Sequence, residues 1–385
     1  MTLDAGLLAR VRQRIAVDGD SPTAAKVAAA VRQEGGAPRG DAELLSMLRA
    51  LQNELVGAGP LESLLRDHTV TDVLVNAPDE VWIDRGAGLE RSSIAFADES
   101  AVRRLAQRLA APTGRRLDEA QPWVDARLAS GVRLHAVLPP IAPAGTCLSL
   151  RIPRDRAFTL AELVAAGSLP PDGAQLLERL IRSRVAFLVS GGTGTGKTTL
   201  LSCLLGLVAP TDRLLLVEDA RELAPVHPHV VRLEARPPNV EGAGAVTLRD
   251  LVRQALRMRP DRIVVGEVRG AEVVDLLAAL NTGHEGGCGT LHANSAVDVP
   301  ARLEALAASA GLARDALHSQ LASGLRVVAQ LRRDAATGRR QVREVCLLSR
   351  SQDGWVAAEP SWQWDGHSPH GQRGSTWSAL MALLC

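Results

Sequence analysis

Lysine is almost missing from this chain of 385 residues: Lys and Arg together number 44, yet the only lysines are Lys26 and Lys197. Arginine serves nearly everywhere else, so a lysine at 197 points to a need for a compact ammonium rather than a planar fork. Aromatic residues are scarce too, at 2%, and the formal net charge is only +1. With no stacking platform and no global basic field, nucleic acid is not an expected partner. No apolar run approaches the roughly 20 residues of a membrane span, and Met1-Thr2-Leu3-Asp4-Ala5-Gly6 offers neither a basic n-region nor an apolar h-region. Work at a membrane would then depend on recruitment. The five cysteines (Cys147, Cys203, Cys288, Cys346, Cys385) are scattered and odd in number, which favours reduced thiols and a cytoplasmic setting.

Against that background, Gly191-Gly192-Thr193-Gly194-Thr195-Gly196-Lys197-Thr198 fits the phosphate-loop pattern G-x-x-x-x-G-K-[ST] without a mismatch. The apolar stretch 184–190 before it reads as a buried strand, and 198–206 after it, beginning Thr198-Thr199, reads as a helix. Strand, glycine loop and helix start would aim backbone N–H groups at the phosphates of ATP, with Lys197 on the β- and γ-phosphates and the Thr198 hydroxyl on Mg²⁺. A glycine-rich turn capping an ordinary helix is the plain alternative.

With 46% apolar and 23% charged residues, the chain can bury more than one core, and its pattern divides it. Residues 1–55 read as a helical extension: Leu7, Leu8, Val11 and Ile15 recur at helical spacing, as do Leu44, Leu45, Leu48, Leu51 and Leu55. Residues 56–165 read as a smaller α+β domain, with strands at 70–76, 81–84, 132–137 and 147–152 and a helix at 102–109. The Gly- and Pro-bearing stretch 166–173 reads as a linker. Over 174–350, helices alternate with short apolar strands at 185–190, 214–218, 263–268 and 287–293, predicting an α/β domain on a largely parallel sheet. Ser, Gly, His and Trp dominate 351–377, so 351–385 reads as a poorly ordered tail.

Acids stand at the ends of two of these strands. Leu214-Leu215-Leu216-Val217-Glu218-Asp219, followed by Glu222, is one; Ile263-Val264-Val265-Gly266-Glu267 is the other, a Walker B arrangement with Glu for the usual Asp. Beside one triphosphate, two acids have two tasks: holding Mg²⁺, and orienting or deprotonating the attacking water. Taken singly, either could be only a turn former. Next comes Gly283-His284-Glu285-Gly286-Gly287-Cys288-Gly289-Thr290-Leu291-His292-Ala293-Asn294. His284, Cys288 and His292 are each four apart, which on a helix would line up three metal ligands, with His227 or His229 as a fourth. Four glycines argue against that helix, and a phosphate-sensing His in a glycine-flanked turn fits better.

These boxes together resemble the type II/IV secretion and pilus-assembly ATPases, most closely the tight-adherence (CpaF, Tad/Flp) branch, which is also associated with conjugal transfer. The resemblance rests on the phosphate loop, the Asp box Glu218-Asp219-Ala220-Arg221-Glu222-Leu223, Glu267 at the end of Walker B, and the His box 283–294. It extends to Asp125-Ala126-Arg127-Leu128, Gly131-Val132-Arg133-Leu134, Pro139-Pro140 and Leu148-Ser149-Leu150-Arg151, covering roughly 55–350. His135 stands where relatives often carry Asn, and Cys288 interrupts a turn that usually bears Ser or Met.

The resemblance implies a RecA-like ATPase domain and a homohexameric ring on the inner face of the cytoplasmic membrane, partnered by membrane platform proteins. It implies Glu218 as general base, Glu267 supporting Mg²⁺ or the lytic water, and His292 with His284 on the γ-phosphate side. It also implies that Arg127, Arg133 and Arg151 close over the phosphates as arginine fingers do; a solvated strand face is the plain alternative for those three. The expected function is a motor assembling a pilus or driving secretion. A DNA-transfer ATPase of conjugation and a non-hydrolysing scaffold stand behind it.

Overall fold

A computed structural model describes residues 10–11, 14, 24–34, 57–86, 88–153, 157–236, 238, 243–283 and 285–385. The chain forms two compact units, Met1–Arg154 and Asp155–Cys385. Of the expected helical extension, helix α1 (Ala24–Glu34) is described; most of the remainder, including the 44–55 repeat, lies outside the described residues. Among the described residues no helix is long and apolar enough to cross a membrane.

In the first unit, strands β1 (Asp72–Ala77), β2 (Glu80–Asp84), β3 (Leu89–Arg91), β4 (Trp123–Arg127), β5 (Arg133–Val137) and β6 (Cys147–Arg151) form one antiparallel sheet in the order β3-β2-β1-β6-β5-β4. Successive side chains point to opposite faces. One face therefore carries Val73, Val75, Val81, Ile83, Ala126, Leu134 and Leu150 into a core. Single-turn helix α2 (Glu62–Leu65) contributes Leu64, and α3 (Glu99–Ala110) closes the core with Val102, Leu105, Ala106 and Leu109. The Asp98 carboxylate caps α3, accepting from the Ala101 N–H at 2.7 Å.

The second unit holds a nine-stranded sheet. Strands β7 (Phe187–Gly191), β8 (Leu214–Glu218), β9 (Val230–Glu234), β10 (Arg262–Val268), β11 (Cys288–Leu291) and β12 (Val327–Arg333) run parallel in the order β12-β7-β11-β10-β8-β9. Beyond β12, strands β13 (Arg340–Arg350), β14 (Val356–Gln363) and β15 (Gln372–Arg373) add an antiparallel wing. Parallel strands between two helical layers need apolar residues on both faces, which explains the unbroken apolar runs. Phe187, Val189, Leu214 and Leu216 enter one core with helices α4 (Leu160–Ala165), α5 (Pro171–Arg182) and α6 (Lys197–Leu205). Their neighbours Leu188, Leu215 and Val217 enter the other, with α7 (Leu248–Ala255), α8 (Glu272–Leu280), α9 (Val299–Ser309) and α10 (Arg314–Gly324).

Two expectations fail here. Residues 166–173 do not separate the units: α4 begins with a capping box between Thr159 and Glu162, and its Leu163 joins Leu169 in the second unit's core, so the division falls at 154/155. Nor is 351–385 a disordered tail. It forms β14, β15 and helix α11 (Trp377–Leu383), with Trp362 only 1% exposed, and the Trp362 indole N–H donates to Asp172 Oδ2 at 2.8 Å. Leu380 is buried in the same core, and Ser183 Oγ donates to the Leu384 carbonyl at 2.8 Å. Burying one large indole with its N–H satisfied offsets an otherwise polar composition.

Candidate nucleotide site

The loop between β7 and α6 sits at the carboxyl ends of the parallel strands, where ligands enter open α/β sheets. Its glycines are required by conformation and by crowding. Gly194 and Gly196 take φ of +71° and +94°, and Gly196 caps α6 in the left-handed region. At Gly191 (φ +154°), an added Cβ would stand 2.6 Å from Thr195 Oγ1 and 2.7 Å from the Leu331 carbonyl. The Thr195 hydroxyl donates to the Gly192 carbonyl at 2.9 Å, closing the turn. Thr193 is exposed, while Thr198 and Thr199 are half-buried in the first turn of α6.

Lys197 is 7% exposed, and its ammonium donates to the carbonyls of Gly191 and Gly192 at 3.0 and 2.9 Å. The same Nζ lies 3.3–3.4 Å from the two ring nitrogens of His292, whose Nε2 is 2.8 Å from Glu267 Oε1. Loop lysine, His box and Walker B acid thus meet in one cluster. Burial lowers the Lys197 pKa, opposed by the charges of Glu267 and Glu222. Burial, and then the Lys197 charge, lower that of His292, which holds its imidazole neutral near pH 7.

Glu218 ends β8 at 3% exposure and accepts the N–H groups of Glu222 and Leu223 at 2.9 and 2.8 Å. Burial raises its pKa, those two hydrogen bonds pull it back, and Glu222 raises it further. Its place against β10 exists because residue 266 is glycine: a Cβ there would lie 2.8 Å from Glu218 Cγ and 3.3 Å from Oε1. A buried carboxylate whose basicity is raised in this way is suited to accept a proton. The neighbouring Asp219 pairs with Arg269 at 2.7 Å, joining the Asp box to the turn after β10.

The helix that would align Cys288 and His292 as metal ligands is not formed. Cys288 and His292 lie along strand β11 and its exit rather than on a helix, so four positions separate them by about 13 Å. Cys288 is buried at the strand's start, its thiol pushed up to about 12 by that burial. His284 lies outside the described residues.

Arg127, Arg133 and Arg151 belong to the other unit, and there they form a row. Arg127 pairs with Arg133 across β4 and β5, and Arg133 with Arg151 across β5 and β6, on the face opposite the core. The row continues to Asp72 on β1, whose Oδ1 accepts from Arg151 Nε at 3.2 Å.

Two contributors escaped the sequence reading. Gln330 on β12 is buried and donates to the carbonyls of Ala293 and Asn294 at 3.3 and 3.2 Å, tying down the end of the His box. Arg340 on β13 donates from Nε to the Gly194 carbonyl at 2.9 Å. No local signal marks either, since the carbonyls they bind lie at least 36 residues away in sequence. A glycine one place before the acid of an apolar strand, as at 266, is a signal for close approach.

Sheet order, phosphate loop and clustered strand-end acids define a P-loop nucleoside triphosphatase. The type II/IV secretion system protein family model matches residues 54–353, and the chain belongs to that family of secretion ATPases. It is 62% identical, over 85% of its length and 94% of the relative's, to a Mycobacterium tuberculosis protein provisionally named for conjugal transfer. It is 32% identical to the conjugal transfer protein TrbB of Rhizobium radiobacter over 69% of this chain and 80% of TrbB. Among solved structures, the pilus retraction motor PilT with bound ADP superposes with a TM-score of 0.51 at 21% identity, covering 77% of this chain and 80% of PilT, a likeness of fold.

Proposed function

We propose that the chain is a Mg²⁺-dependent ATP-hydrolysing motor of a pilus-assembly or secretion system. The observation that carries this reading is the cluster of Lys197, His292 and Glu267 beside the phosphate loop, with Glu218 buried next to it. The loop 191–199 fits a triphosphate: its glycines adopt the left-handed turns that expose N–H groups, and its ammonium is held at the loop by carbonyls that a phosphate oxygen can outcompete. Thr198 and Glu267 are the oxygen ligands suited to Mg²⁺, directly or through water, and the metal would neutralise charge building on the phosphates.

Glu218 accepts the proton of the attacking water, its basicity raised by burial. Neutral His292, fixed between Lys197 and Glu267, faces the γ-phosphate side, and His284 is assigned to the same side by family pattern. The arginine row of 127, 133 and 151 provides cationic charge for the phosphates, supported by its common register on one open sheet face. The motor works as a homohexamer in the cytoplasm, attached to the inner membrane through platform proteins. A second reading, a conjugation-type DNA-transfer ATPase, is favoured by the names of the 62% and 32% identical relatives.

Light scattering of the full chain with ATP and Mg²⁺, beside turnover per subunit across a dilution series, tests the reading. Hexamers and a turnover that falls on dilution are expected, because arginines supplied from a separate unit need subunits to hold them in place. A monomer with concentration-independent activity rules out the ring motor. Stimulation of turnover by single-stranded DNA, absent with the motor's own pilin or platform proteins, moves the assignment to DNA transfer.

A further inference from the structure

The far end of the β12–β13 hairpin lies along the phosphate loop. Leu331 pairs in register with Gly191 and places its carbonyl 2.7 Å from where a Cβ of Gly191 would stand. Across the hairpin, Arg340 runs its side chain over Gly196, with Cδ 3.5 Å from that residue's Cβ position, and its Nε donates to the Gly194 carbonyl at 2.9 Å. Arg340 belongs to none of the four sequence boxes that mark this site. It is also in the same unit as the loop, unlike the arginines at 127, 133 and 151.

In a planar trans peptide the carbonyl of one residue and the N–H of the next point in opposite directions. A guanidinium that holds the Gly194 carbonyl toward the hairpin therefore turns the Thr195 N–H to the other side of the loop, and polarises it as a donor. Gly194, at φ +71°, is the loop residue most free to rotate, and nothing lies within 4 Å of its Cβ position to restrain it. From this geometry we infer that Arg340 is a positioning residue: it locks the 194–195 peptide so that the Thr195 N–H is presented to a bound phosphate. The inference rests on the nucleotide reading of the loop and adds the element that sets its conformation. A phosphate contact supplied this way exists for ADP and ATP alike, so its loss weakens binding uniformly and raises KM while leaving kcat nearly unchanged.

The full-length chain is titrated with Mg-ADP and with Mg-ATP, and steady-state turnover is measured, for wild type, Arg340→Met and Arg340→Lys. Met keeps the apolar stem over Gly196 and removes the donor; a charge-assisted bond of this kind is worth roughly a 10-fold change in affinity. Arg340→Met should bind both nucleotides roughly 10-fold more weakly, with KM raised to match and kcat within about twofold. Arg340→Lys should recover most of that loss, with unchanged melting temperature in the absence of nucleotide for all three proteins. Wild-type affinity in Arg340→Met overturns the inference, as does a loss confined to kcat. Failure of the wild-type chain itself to bind either nucleotide removes the nucleotide reading, and is a different result from equal binding by wild type and variant.

Discussion

The two sheets of this molecule display charge in different ways. In the parallel sheet every residue of β7 and β8 is buried, so the charges of the site emerge where strands end, at Glu218, Glu267 and the loop around Lys197. In the antiparallel sheet one face is core and the other open, so charge can lie across the strands as a row, Arg127 to Arg133 to Arg151 to Asp72. Layer architecture dictates this. Strands covered by helices on both sides have no face left for ions, and strands covered on one side have a whole face. A strand-end group is then held by few, short contacts and tolerates little change. A row is a distributed feature, and it should degrade gradually.

The largest effect belongs to the buried lysine of the phosphate loop. Lys197→Ala removes the ammonium of the loop, and turnover should fall by at least about 10³-fold with weakened ATP binding. A purified Lys197→Ala protein that hydrolyses ATP near the wild-type rate removes the phosphate-loop mechanism altogether. Glu218→Gln keeps the shape and both backbone hydrogen bonds while losing basicity, so ATP stays bound and kcat drops by roughly 10² to 10⁴. Since burial raises the Glu218 pKa, the wild-type rate should decline on acidification at a pH above 4.5, the usual glutamate value, as the carboxylate takes up a proton. That acid limb should vanish from the residual rate of Glu218→Gln. Bound-but-inactive behaviour in Glu267→Gln, with Glu218→Gln still active, would show the two acids in exchanged roles.

Gly266→Ala probes the same strand end without replacing an ionisable group. The new methyl would stand 2.8 Å from Glu218 Cγ, so the carboxylate must move or β10 must shift. Displacements of that size cost on the order of 10-fold to 10²-fold in rate. Glu218 kinetics unchanged by Gly266→Ala would mean that the acid's placement is not set by the close approach of the two strands.

How much of this was legible beforehand follows from the same contrast. Continuous apolar runs ending in acids, Leu214–Glu218 and Ile263–Glu267, marked parallel strands and the site together, because burial on both faces leaves no other pattern. The first unit was legible through alternation at 70–76 and 81–84. The wing was not. Residues 351–385 carry Ser, Gly and His at high density, and the order there comes from Trp362 and its partner Asp172, 190 residues away in sequence. Arg340 and Gln330 were invisible because strand pairing, not local composition, places them: the β12–β13 hairpin brings Arg340 to the loop, and the parallel pairing of β12 with β7 brings Gln330 to the His box.

The smallest effect should come from the row, and its sign separates function from scaffolding. Arg133 is the middle member, directly opposite Arg127 on one side and Arg151 on the other. Like charges facing each other across antiparallel strands are unfavourable by a few tenths of a kcal/mol, so the three arginines do not stabilise one another. Arg133→Ala should change the melting free energy by no more than about 0.5 kcal/mol in either direction. Turnover should nonetheless fall roughly 10-fold, less than the full value of an arginine finger because Arg127 and Arg151 remain. Arg151→Ala, at the exposed end where Asp72 already shares the charge, should cost less again. Rates measured at increasing salt sharpen the comparison: screening acts on the open row far more than on the buried strand ends, so wild type should approach Arg133→Ala as salt rises. An Arg133→Ala protein with wild-type turnover at low salt would make the row a solvated strand face and leave the phosphate charge to the strand ends alone.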